Sequence, residues 1–180
     1  SVIESLKSDI LKEKYLNTIT LENGYDELDI DYLKSVVIKS FASDELKVKY
    51  LDNFDLDGVY IVCSLKSDDL KLKYLDSFDD SAGLKRLKII CNFASDELKL
   101  KFLDDYNKAG KAEIICSLKS DELKIKNLPK FYGKLKEKIV LSLSSTEKLF
   151  DYLQKSNNSE LINSLLFITK KGVQISYLHI

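Results

Sequence analysis

The sequence predicts an all-α protein, an α-solenoid of stacked helix-turn-helix repeats, and three observations carry that prediction. First, Ser43-Asp44-Glu45-Leu46-Lys47-Val48-Lys49-Tyr50-Leu51-Asp52 recurs without gaps as Ser67 to Asp76 and as Ser95 to Asp104. Ser120 to Leu128 is a fourth copy, Ser8 to Leu16 an earlier one, and degraded copies begin at Ser145 and Lys170. The spacing is about 25 residues after one longer first interval, a period that marks repeat architectures. Second, an apolar block precedes each copy: Val36-Val37-Ile38, Ile61-Val62-Cys63, Ile89-Ile90-Cys91, Ile114-Ile115-Cys116 and Ile139-Val140-Leu141. Third, turn residues such as Asp55-Leu56-Asp57-Gly58 and Asp79-Asp80-Ser81-Ala82-Gly83 separate the two blocks.

The first block of each repeat reads as a helix. Serine is a preferred N-cap, and the acidic pair after it suits the positive end of the helix dipole. Glu45 with Lys49, Asp69 with Lys73, Glu97 with Lys101 and Glu122 with Lys126 stand four apart in the favourable order. Counting the serine as zero, positions three, five, seven, eight and eleven are apolar, as in Leu70, Leu72, Tyr74, Leu75 and Phe78. So wide an apolar arc calls for neighbours on two sides. The Ile/Val/Cys block fits a buried strand or a helix by periodicity alone. Lys85-Arg86-Leu87-Lys88 and Gly110-Lys111-Ala112-Glu113 run into it without strand alternation, which favours a second helix. Six to seven hairpins follow, in one helical-repeat domain spanning 1–180.

Two places break the rule. Residues 18–31 form an acidic insertion in the first repeat, with Glu22, Asp26, Glu27, Asp29 and Asp31, read as a long loop or an extra helix. Pro129 interrupts the fourth copy, where it removes a backbone donor and stops or kinks the helix. Val2 to Lys7 occupy second-helix positions and Tyr177 to Ile180 end inside a first helix, which reads as excision from a longer protein with open ends able to self-associate.

Composition narrows the class. The chain is 44% hydrophobic with ten tyrosines and eight phenylalanines, enough for a core and too much for disorder. Charged residues interrupt every apolar stretch, and Glu4, Lys7 and Asp9 occupy the N-terminus, so neither a membrane span nor a signal peptide is predicted. Three widely spaced cysteines do not make a disulfide framework, and a reducing, cytoplasmic setting is expected. A formal charge of −1 disfavours nucleic acid or anionic lipid as the main partner.

Candidate chemistry then falls on columns of the repeat. Cys63, Cys91 and Cys116 form one column and read as small core residues. The single histidine, His179, lies in a terminal segment, so no metal, cofactor or nucleophilic triad is expected. Tyr15, Tyr50, Tyr74, Phe102, Tyr152 and Tyr177, with Phe54, Phe78, Tyr106 and Phe131, read as packing columns. Lysine recurs at position four, in Lys12, Lys47, Lys71, Lys99 and Lys124, either snorkelling to water or forming a cationic row toward an acidic partner. The acidic row nearby, Asp44/Glu45, Asp68/Asp69, Asp96/Glu97 and Asp121/Glu122, reads as helix capping, with binding of a basic peptide as the alternative. The predicted partner-binding set is Lys47, Lys71, Lys99 and Lys124, joined by Lys126, Lys130 and Lys134 of the basic patch around Pro129.

At these residues the chain resembles α-solenoids of the HEAT, armadillo and TPR kind over essentially its whole length, with a shorter period and without the TPR tryptophan and alanine signatures. The resemblance implies a protein-protein interaction scaffold or adaptor rather than an enzyme. The SLKSDELKLKYLD style also resembles repeat proteins of amoeba-associated intracellular bacteria, such as Legionella effectors, and of giant viruses, which implies an effector domain acting in a host cytosol. The alternatives are anionic-lipid or nucleic-acid binding through the lysine columns, and an enzyme built on a HEAT-like scaffold.

Overall fold

The computed structural model describes residues 8–19, 27–51, 58–78 and 83–156. The copy starting at Lys170, His179, Phe54, and Glu22 and Asp26 of the acidic insertion lie outside the described residues. Every regular element among them is helical, with no strand, so the Ile/Val/Cys blocks are helices. The chain divides into two compact units, Ser1–Phe102 and Leu103–Ile180.

In the N-terminal unit the serine-led helices are α1 (Asp9–Leu16), α3 (Asp44–Leu51), α5 (Asp68–Leu75) and α7 (Asp96–Lys101). Between them run α2 (Glu27–Lys39), α4 (Gly58–Cys63) and α6 (Leu84–Cys91). The helices of the second set pack on one another in chain order, α2 on α4 and α4 on α6, and each also packs on its neighbouring serine-led helices. The last part of the acidic insertion, Glu27 to Asp31, is the first turn of α2 rather than loop. In the C-terminal unit α8 (Lys108–Cys116), α9 (Asp121–Asn127), α10 (Gly133–Leu141) and α11 (Thr146–Ser156) continue the pattern, α8 packing on α9 and α10. Helix α9 stops at Asn127 and becomes a 3-10 turn, Leu128–Lys130, because Pro129 cannot donate to the ladder.

The core is the copied apolar pair of each second helix. Val37/Ile38, Ile61/Val62, Ile89/Ile90, Ile114/Ile115 and Ile139/Val140 are all fully buried. At about 1.5–3 kcal/mol for each such side chain, these ten outweigh every surface pair in the molecule. A second layer comes two residues before each serine, at Phe41, Leu65, Phe93 and Leu118. Where that residue is phenylalanine, the aromatic at position seven packs on it: Phe41 on Tyr50 and Phe93 on Phe102, both at 5.9 Å between ring centres. Gly58 lets α4 approach closely, since a Cβ there would stand 3.2 Å from the Phe78 ring.

The caps follow the sequence reading except at Ser8, whose side chain makes no cap bond. The hydroxyls of Ser67, Ser95 and Ser120 accept from the N–H groups of Leu70, Leu98 and Leu123. Two expectations change. Position five is partly open, with Leu72 41% exposed, so the serine-led helices do not bury the full arc. The acids at position two turn back to the cap, Glu45 to Ser43 at 2.6 Å and Glu122 to Ser120 at 2.9 Å, instead of pairing four residues on. Lys49 reaches Glu13 of the preceding serine-led helix at 2.7 Å.

Candidate interaction surface

The position-four lysines do not form a surface row. Lys12, Lys47, Lys71, Lys99 and Lys124 are between 2% and 6% exposed, so neither snorkelling nor contact with an outside partner describes them. Each pairs with the aspartate three residues before it, from 3.3 Å for Lys71 with Asp68 to 3.9 Å for Lys99 with Asp96. For Lys12, Lys47, Lys71 and Lys124 the ammonium also donates to the carbonyl that closes the second helix of the repeat. Lys47 reaches the Ser64 carbonyl at 2.5 Å and Lys71 that of Asn92 at 2.5 Å. Lys12 does the same to Ser40, and Lys124 to Ser142. These carbonyls are orphans of a helix C-terminus, where the dipole favours a cation.

The aspartate completes the joint from the other side, by accepting N–H bonds from the turn of the next repeat. Asp9 receives Ala42 and Ser43, and Asp44 receives Lys66 and Ser67. Asp68 receives Ala94 at 2.7 Å and Ser95 at 2.8 Å, and Asp121 receives Ser144 and Ser145. One Asp-x-x-Lys unit thus holds both ends of the following turn, carbonyl and amide, without leaving a described buried side-chain polar atom unpaired. The acidic residue read as a helix cap is half of this joint.

The joint is acid-labile in a defined sense. Burial pushes the Asp9, Asp68 and Asp121 carboxyls up, but the two backbone donors and the neighbouring lysine outweigh it and hold each below the ordinary value. A depressed carboxyl stabilises the fold above its unfolded value, about 3.9, and that contribution disappears as pH falls through the folded values. Helicity followed by circular dichroism is therefore expected to stay flat from pH 7 to about 4.5 and fall cooperatively below about 4. Unchanged stability down to pH 2 would contradict the assignment.

Of the predicted set, Lys126, Lys130 and Lys134 are on the surface, on α9, the Pro129 turn and α10 respectively. Lys130 donates to the Asn127 side chain at 2.9 Å, while Lys126 and Lys134 have no partner among the described residues. Next to Lys126 an open groove of about 410 Å³ runs between α9 and α11, lined by Glu122, Ile125, Lys126, Lys148, Asp151, Tyr152 and Lys155. Lys148 pairs with Glu122 across it and, with Ser120, holds that carboxyl down to about 2. Lys136 lies 5.8 Å from the centre of the Tyr152 ring, at the outer edge of a cation-π contact.

A second exposed constellation was missed in the sequence. Tyr60 on α4 has Lys88 of α6 at 3.6 Å and Lys39 of α2 at 5.4 Å from its ring centre. Its signal is the position seven before a serine, where the sequence has Tyr60, Lys88, Glu113 and Lys138; Lys138 pairs with Glu113. Cys63, Cys91 and Cys116 form no disulfide and are half-buried. Burial pushes the Cys63 thiol up to about 11 and raises Cys116 as well, which leaves both as poor nucleophiles at neutral pH. Among the described residues no group of three or more histidine, cysteine or carboxylate side chains could hold a metal ion, and no helix is long and apolar enough to cross a membrane. The chain matches no family model, no curated protein and no solved structure.

Proposed function

We propose that the chain folds as an α-solenoid and works as a noncovalent protein-protein interaction scaffold. The observation that supports this reading is the joint. It is built from copied aspartates, buried lysines and backbone, so it repeats without constraining the outward positions. Those positions differ from repeat to repeat: the same place holds Tyr60, Lys88, Glu113 or Lys138. Identical joints carrying different outward side chains suit an extended recognition surface. Binding of a polyanion fits less well, because four of the seven lysines it would use are inside.

The test is photo-crosslinking capture from eukaryotic and bacterial lysates at moderate salt, which also covers the host-cytosol setting that the resemblance implies. A saturably captured protein is expected with the wild type, reduced several-fold by Lys126→Glu/Lys130→Glu/Lys134→Glu, a variant that spares the buried joints. Recovery of nucleic acid or lipid alone, collapsing steeply as salt rises, would overturn the scaffold reading.

A further inference from the structure

The groove between α9 and α11 has a chemistry that selects among protein partners. Its lining exposes mainly apolar surface, with Ile125 and Tyr152 between charged side chains. Glu122 and Lys148 neutralise each other across it. That leaves Lys126 and Lys155 as cations without an ion-pair partner among the described residues, against the single carboxylate of Asp151. The surroundings reinforce the sign: residues 122–155 hold eight lysines and four carboxylates, one of the eight being the buried Lys124.

We propose that this groove docks an acidic amphipathic segment of a partner protein, a bulky apolar side chain settling between Ile125 and Tyr152 while flanking carboxylates meet Lys126 and Lys155. The proposal deepens the scaffold reading and rests on it. Charge complementarity sets the sign of the partner and the apolar lining sets its amphipathic character. A phosphate backbone fits worse. It carries charge at every step and nothing apolar for the lining, and Asp151 and the carboxylate of Glu122 stand in its path. Tyr152, with its amphipathic ring, is the residue type expected to anchor such a contact.

The experiment uses the 180-residue chain to select from a phage-displayed library of random 12-residue peptides. Enriched sequences are expected to carry an aromatic or large aliphatic residue flanked by Asp or Glu. A synthetic peptide of the enriched sequence should lose at least tenfold in affinity with Lys126→Glu/Lys155→Glu, and similarly with Tyr152→Ala. Lys39→Glu/Lys88→Glu, which alters the Tyr60 cluster of the N-terminal unit and no residue of the groove, should leave its affinity unchanged. In nitrogen-15 spectra of the wild type the peptide should shift the amides of Ile125 and Tyr152. No enrichment, enrichment of basic peptides, or equal affinity of the groove variant would overturn the proposal. So would tighter binding of a 12-nucleotide single-stranded DNA or of phosphatidylserine vesicles at the same residues. If lysate capture survives the groove variant but is lost on changing other surface positions, the scaffold reading stands and the groove assignment fails.

Discussion

Replacing Lys71 by methionine is expected to cost about 3 kcal/mol, the lower end of the range for breaking a buried ion pair from one side. Lys71 is 3% exposed, and its ammonium pairs with Asp68 and donates to the Asn92 carbonyl. Methionine fills much the same volume, so little of the loss is a cavity. What remains is a half-shielded carboxylate without its cation and a helix-end carbonyl without its donor. Asp68 keeps its bonds from Ala94 and Ser95, which is why the cost stays near the lower end. The control is Lys73→Met two residues on, at an exposed site, expected within about 0.5 kcal/mol of wild type. Urea unfolding followed by far-ultraviolet circular dichroism measures both. If the two variants unfold at the same urea concentration, the buried joint has no stabilising role.

Phe93→Ala is expected to cost about 3–5 kcal/mol, the usual range for emptying a buried aromatic site. Phe93 is 2% exposed and packs against the Phe102 ring, so truncation strips contacts from both sides of that layer. The repeat itself supplies the milder comparison. Leucine occupies the equivalent place as Leu65 and Leu118, buried in both cases. Phe93→Leu should therefore retain most of the packing and cost about 1.5 kcal/mol or less, the range for hydrophobic swaps that nearly conserve volume. Thermal unfolding in which the alanine and leucine variants melt together would show that position to be less tightly packed than its burial implies.

The two substitutions probe features of different legibility. Phe93 could be placed from the sequence, because it stands two residues before a serine cap in a copied apolar frame. The same holds for the Ile/Val pairs, the capping serines and the stop at Pro129. The functional columns were less legible. Lysine at position four was assigned to the outside because an isolated helix offers a cation nothing but water on that flank. Lys126, Lys130 and Lys134 were read as exposed and are exposed. Tyr152, which lines the same groove as Lys126, lies about one repeat further along, and no local spacing joins it to Ile125.

The sequence by itself determined the helices, most of their caps, their breaks and the copied apolar pairs of the core, since each of these depends on residues within one or two turns of chain. Only the tertiary structure decided where the repeated charges go. A serine-led helix meets the end of the following second helix, whose last carbonyl lacks a donor, and the turn after it, whose amides lack acceptors. Aspartate and lysine three residues apart match that pair of orphans in sign and spacing. The match exists only once the next repeat is in place, and it turns what reads as a binding surface into the joint between repeats.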